Sequence, residues 1–298
     1  MSAPTHELAT VRDWLRYAVS RFNEADLAFG HGTTNAWDEA AYLVLHALHL
    51  PLDRLEPFLD ATLTQPERLA LADVLARRVD ERIPAAYLTH EAWLGHFRFY
   101  VDERVIVPRS YIAELLPDHL APFVGEPDAV RTALDLCTGS GCLAILLADA
   151  FALADIDAVD VSADALAVAQ RNVSDYGLAG RINLIRSDVY ANLADKSYDL
   201  VISNPPYVTA VAMDNLPPEH RREPAIALAG GEDGLDVVRR IVKDAPRHLN
   251  PRGTLVMEVG DGRNAVEAAF PRLELTWLAT ASSDDSVFAV SREALVRG

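Results

Sequence analysis

The sequence predicts an α/β fold: a largely parallel sheet domain over residues 109–298, preceded by a small helical domain at 1–84 and a β-hairpin linker at 85–108. Three observations predict it. From Val130 onward, short apolar runs alternate with helix-periodic stretches. The first such run leads straight into a glycine-rich turn, Cys137-Thr138-Gly139-Ser140-Gly141. Before residue 84, apolar residues recur at spacings of three and four instead.

In the helical part, Leu8, Val11, Leu15, Val19 and Phe22 mark one helix face, which Gly30 is expected to end. Asn35 can cap a second helix from Trp37 to Leu50, stopped by Pro51. Thr64-Gln65-Pro66-Glu67 reads as a capping box before Leu69–Val79, with Pro84 closing that helix. His46 and His49 lie three apart on a helix, but no cysteine or second histidine pair accompanies them, so no metal site is expected. The module carries no polar constellation, which suits recognition better than catalysis.

Between 87 and 108 the composition turns aromatic and β-branched around Gly95-His96, predicting a hairpin. Pro108-Arg109-Ser110 follows, then a helix-like stretch from Ile112 to Leu120.

The α/β pattern opens with the strand Thr132–Leu136, the glycine turn, and a helix from Cys142 to Ala150. Glycines in such a turn let backbone N–H groups approach a ligand closely. Ile156–Asp160 is a second strand, whose acid falls at the spacing used for gripping ribose hydroxyls. Ser162 caps the next helix and Gly177 ends it. Ile182–Ile185 is a third strand with Asp188 beyond it, and Tyr198–Ser203 a fourth, delivering Asn204. A helix from Leu235 to Ala245, a fifth strand from Gly253 to Val259 and a closing hairpin (273–278 with 286–290) complete the chain. Asp135, Asp160, Asp188 and Asn204 thus stand at successive strand ends, where parallel α/β sheets bind ligands.

Asn204-Pro205-Pro206-Tyr207 is the sharpest feature. Neither proline can donate a backbone hydrogen bond, and Pro205 drives Asn204 out of helical geometry. The Asn204 amide and the next carbonyl form a rigid acceptor fork, with Tyr207 as a roof. Such a fork suits a planar NH2 group, either a carboxamide or the exocyclic amine of a base.

Composition bounds the partners. Of 298 residues, 27 are Lys or Arg and 44 are Asp or Glu, a net charge of −17 that repels a phosphate backbone and attracts basic proteins. The only two cysteines, Cys137 and Cys142, lie in one motif, so no disulfide framework is expected, and packing is favoured over reactivity. The first eight residues lack a basic-then-apolar leader, and no run is long enough to span a bilayer, so a cytoplasmic protein without membrane contact is expected.

The order of acidic strand end, glycine turn, ribose acid, further acid and Asn-Pro-Pro-Tyr resembles the class I S-adenosylmethionine-dependent methyltransferases, with their Rossmann-like domain. Within them the chain is similar to the protein glutamine N-5 methyltransferases, in the branch that acts on the third protein of the large ribosomal subunit. The likeness covers nearly the whole chain. It rests on Val101 to Ser110, Asp135 to Cys142, Asn204 to Val208, Leu216 to Pro224 and Gly231 to Leu235. The branch acting on peptide-chain release factors would show Pro-Arg-Pro, whereas Ser110 stands here and Ala113 occupies its glutamate position. One departure is Tyr111, where the ribosomal-protein branch has proline.

The resemblance implies S-adenosyl-L-methionine as cofactor. Asp135 would face its ammonium group, and Cys137, Thr138, Gly139, Ser140 and Gly141 would wrap its methionine part. Asp160 would hold the ribose, and Asp188 with Val189 the adenine. Asn204, Pro205, Pro206 and Tyr207 would aim the glutamine amide, with a basic ribosomal protein as the implied partner. An amide nitrogen needs no prior deprotonation if methyl transfer precedes proton loss, so positioning replaces a catalytic base. Three other readings stay open: a release-factor substrate, a nucleic-acid base, which the charge opposes, and a ribosome-assembly factor without turnover.

Overall fold

The computed structural model describes residues 5–298; the first four, within the segment read above for a leader, lie outside the described residues. The chain divides into two compact units. One comprises residues up to Ala92 together with Leu216–Arg222; the other comprises Trp93–Asn215 and Glu223–Gly298.

The first unit is built on helices Val11–Glu24, Ala36–Ala47 and Gln65–Asp80. The second and third begin beside the caps read from sequence, Asn35 and Thr64, and the first at Thr10, a cap absent from the sequence reading. Thr10 forms a capping box with Asp13, Asn35 accepts from the Asp38 N–H, and Thr64 pairs with Glu67. The first two end earlier than expected, and the third ends at Asp80, one residue past the Val79 read from sequence. The first stops before Ala25, not at Gly30, because Asp26 turns left-handed and the Leu27 N–H reaches back to the Phe22 carbonyl. His49 does the same for the second, before Pro51 is reached, and Arg82 takes the left-handed form after the third. Pro84 instead leads a short helix, Ala85–Thr89, absent from the sequence reading. Trp14, Leu15, Phe22, Leu43 and Leu71 fill this core.

Into the same unit Leu216–Arg222 brings Glu219, which is fully buried beside Glu39 and Arg78. Arg78 Nε donates to Glu39 Oε1 at 2.6 Å, Nη1 to Glu219 Oε1 at 3.2 Å and Nη2 to the Ala28 carbonyl at 3.0 Å. Arg82 adds a bond to Glu219 at 3.1 Å. Burial alone would raise the Glu219 carboxyl, but backbone and arginine hydrogen bonds outweigh it and hold the group below its ordinary range.

Strands β1 (Glu91–Leu94) and β2 (Phe97–Tyr100) form the hairpin, turning at left-handed Gly95. The sheet of the second unit comprises β3 (Thr132–Leu136), β4 (Asp155–Asp160), β5 (Ile182–Arg186), β6 (Tyr198–Ser203), β7 (Leu249–Glu258), β8 (Thr276–Trp277) and β9 (Val287–Ser291). Its order is β5-β4-β3-β6-β7-β9-β8, parallel through β7 and antiparallel beyond. Chain order reverses between β3 and β6, so this is a topological switch point, where such sheets open a crevice at the strands' carboxyl ends. The helix-like stretch after Tyr111 is shorter than read, Ile112–Leu115. Leu134, Leu136, Val201, Leu255 and Met257, each fully buried, form the sheet's inner layer. Among the described residues no helix is long and apolar enough to cross a membrane.

Candidate active site

At the carboxyl ends of β3, β4 and β6 the second unit holds a cavity of ≈ 390 Å³. Of the predicted site residues, Cys137, Gly139, Asp160, Asp188, Val189, Asn204 and Pro206 line it. Asp135, Thr138, Ser140, Gly141, Pro205 and Tyr207 do not. A larger, more open hollow of ≈ 650 Å³ lies near the amino ends of β4 and β5, remote from this constellation.

The turn after β3 is shaped by left-handed backbone at Cys137 (φ 63°), Gly139 (φ 55°) and Gly141 (φ 79°). Asp160 secures it: Oδ2 accepts from the Gly139 N–H at 2.9 Å, and Oδ1 from the Ser162 N–H at 2.9 Å. Burial pushes the Asp160 carboxyl upward against these bonds. Asp135 sits behind the turn. It is fully buried, accepts from Thr138 Oγ1 at 2.6 Å, and its Oδ1 has no hydrogen-bond partner among the described residues. Desolvation raises its carboxyl to about 7. Asp135 is thus tied to the turn through Thr138 and is not among the residues lining the cavity. Burial also raises both thiols, Cys142 to about 12, so neither is a nucleophile at neutral pH.

Asn204 follows β6 directly. Its Nδ2 donates to the Arg109 carbonyl at 3.2 Å, which leaves Oδ1 as an acceptor on a cavity-lining residue. Tyr207 is wedged close by. A Cβ on Gly260 would stand 2.7 Å from the Tyr207 ring, and one on Gly234 would collide with the Tyr207 carbonyl. Only glycine fits at either position, because both also hold positive φ.

The Methyltransferase small domain family matches residues 113–216. A ribosomal protein uL3 glutamine methyltransferase of Bordetella pertussis is 58% identical over 289 residues, covering 97% of both chains. One of Burkholderia pseudomallei is 59% identical over 288 residues, covering 94% of both. This chain belongs to the ribosomal protein uL3 glutamine methyltransferase family. It is a methyltransferase, and the family and fold imply S-adenosylmethionine as the methyl donor. Among solved structures, the hMettl16 catalytic domain in complex with the MAT2A 3'UTR hairpin 1 shares the class I fold. Its TM-score is 0.50 with 16% identity, over 80% of this chain and 84% of that one, a likeness of fold alone.

The residues fit such a cofactor. Asp160 lines the cavity and is an acceptor-only carboxylate held in place by backbone N–H groups, the kind of group a ribose diol requires. Ile106, Val159, Val161 and Val237 give the wall an apolar face for a flat base. At the far side Asp188 is held by Arg240 at 2.7 Å.

Sequence reading missed several of these participants. Arg240 sits inside the amphipathic helix Asp236–His248, where a charged residue looks like solvated surface. Glu258 was within reach, since it ends β7 just as the predicted acids end their strands. It is buried, accepts from Ser110 Oγ at 2.6 Å and the Tyr111 N–H at 2.9 Å, and is raised to about 6 by desolvation against those bonds.

Proposed function

We propose that the enzyme methylates the side-chain amide nitrogen of one glutamine in ribosomal protein uL3, with S-adenosyl-L-methionine as donor. The observation that carries this reading is the orientation of Asn204, whose Oδ1 is left to accept from an incoming NH2 group. Relatives sharing more than half their residues with this chain and named for this activity support the choice of substrate. Bound in the cavity, S-adenosylmethionine supplies an electrophilic methyl group, the one reagent these side chains lack. Asn204 Oδ1 and the Pro205 carbonyl take the two amide hydrogens and so aim the nitrogen, with Tyr207 packing on the flat carboxamide. Holding a reactant in this way is worth on the order of 7–11 kcal/mol. Asp160 holds the ribose, Asp188 with Val189 the adenine, and the Cys137–Gly141 turn the methionine part.

Asp160→Ala is expected to weaken cofactor binding by about 1.5–3 kcal/mol, the worth of hydrogen bonds to a charged group. Calorimetry giving the parent affinity would remove Asp160 from the ribose site.

The helical unit, with the hairpin, serves as the recognition element for the protein substrate, since the residues proposed for the chemistry are found in neither. Charge favours the encounter: an enzyme at −17 draws in a basic RNA-binding protein and repels nucleic acid itself. Such attraction is screened, so the second-order rate of methylation should fall as salt rises to about 0.15 M. A rate indifferent to salt would leave charge no part in substrate choice. A ribosomal substrate also places the enzyme in the cytoplasm.

The deciding experiment is mass spectrometry of ribosomal proteins and release factors after incubation with the enzyme and methyl-labelled cofactor. Label on a glutamine of uL3 is the expected result. Label on a release factor, with uL3 unmodified, would overturn it.

A further inference from the structure

We infer that two buried carboxylates, Glu223 and Glu258, are positioning residues that decide which end of the Asn204 amide faces the cavity. They act through the backbone carbonyl of Arg109. The inference rests on the reading of Asn204 given above. A peptide carbonyl can only accept a hydrogen bond, so the group opposite it must be the NH2 end of Asn204. The oxygen end is then turned away to receive a substrate. Which way Asn204 points therefore depends on how firmly the Arg109–Ser110 peptide is held.

That peptide is clamped from both sides. On the Arg109 side, Glu223 accepts from Nη1 at 2.6 Å and Nη2 at 2.7 Å, and from the Val107 N–H at 2.9 Å. On the Ser110 side, Glu258 accepts from the hydroxyl at 2.6 Å and from the Tyr111 N–H at 2.9 Å. Glu223 is 4% exposed and Glu258 1%, so these charge-assisted bonds form with little competition from water. The planar fork of arginine suits the Glu223 contact, and lysine cannot reproduce it. Burying two carboxylates is costly unless every lone pair is put to use. Here most of that hydrogen bonding converges on four residues of one loop, Val107, Arg109, Ser110 and Tyr111. Ser110 thereby gains a definite role, because its hydroxyl is a donor that a proline at this position could not offer.

The test is a double-mutant cycle in the full-length enzyme, read by single-turnover methylation of uL3, with cofactor affinity and melting temperature measured alongside. Arg109→Lys is expected to slow methylation by up to about 10²-fold, the cost of a misplacement near 1 Å, with cofactor affinity unchanged. In an Asn204→Ala background the same substitution should change the rate little, because the residue it positions is gone. Ser110→Ala should also slow the reaction and Ser110→Thr restore it, an arm that holds even if Arg109→Lys does not fold. Independent, multiplying losses from Arg109→Lys and Asn204→Ala would overturn the inference, as would an Arg109→Lys or a Ser110→Ala enzyme at the parent rate. If Asn204→Ala alone methylates at the parent rate, the reading of Asn204 itself falls, and the positioning role with it.

Discussion

Asn204→Ala is expected to lower single-turnover methylation by about 10²–10³, the usual cost of removing one preorganised polar group from a reacting centre. S-adenosylmethionine affinity should stay near that of the parent, because Asp160 and the turn it secures are untouched. The loss comes from geometry. Without Oδ1, one amide hydrogen of the substrate has no acceptor, and the nitrogen is free to rotate off the line of transfer. Asn204→Asp sharpens the expectation. It keeps an oxygen toward the cavity but replaces the NH2 donor that meets the Arg109 carbonyl at 3.2 Å. Two acceptors then face each other across that gap, so the loop or the side chain must shift, and the rate should fall as well. An alanine variant as fast as the parent in single turnover would remove the acceptor fork from the mechanism.

Much of this site was legible because it lies along the chain in local signals. A strand followed by glycines, a second strand ending in Asp160, and a strand halted by Asn204-Pro205-Pro206 each leave a mark within ten residues. Their assembly follows from the connection rules of parallel sheets, which bring β3, β4 and β6 to one edge. The clamp on Asn204 was not legible, since Arg109 meets Glu223 across 114 residues and Ser110 meets Glu258 across 148. Periodicity carries no trace of such pairings. Asp135 differs again. Its place near the end of β3 suggested a ligand contact, yet it is fully buried behind the turn and not among the residues lining the cavity. The starts of the second and third helices were legible at Asn35 and Thr64, while the Thr10 cap was not read; the ends of the first two were set by left-handed Asp26 and His49, residue types that leave no strong stop signal.

In the helical unit, Arg78→Ala should cost about 3–5 kcal/mol, the scale seen when one partner of a buried ion pair is removed. Arg78 is 1% exposed at its side chain, and its partners Glu39 and Glu219 are wholly buried. The group is close to neutral as built, with Arg82 supplying the second positive charge against the two carboxylates. Among the described residues, removing Arg78 leaves Glu39 with only the Thr33 hydroxyl at 2.9 Å, and Glu219 with Arg82 as its single cation. Neither carboxylate can then be solvated in place, so water must enter or the segment Leu216–Arg222 must leave the helices. Chemical denaturation followed by far-UV circular dichroism should show an earlier transition for this unit, and the shift should persist in high salt, because buried charges are poorly screened. The triple variant Glu39→Gln, Arg78→Met, Glu219→Gln should recover much of the loss, since the one charge of the cluster that remains, Arg82, is partly exposed to water. Cofactor affinity should be unaffected in both, as the residues lining the cavity all belong to the other unit. A loss below about 1 kcal/mol for Arg78→Ala would class the cluster with surface ion pairs and contradict its burial.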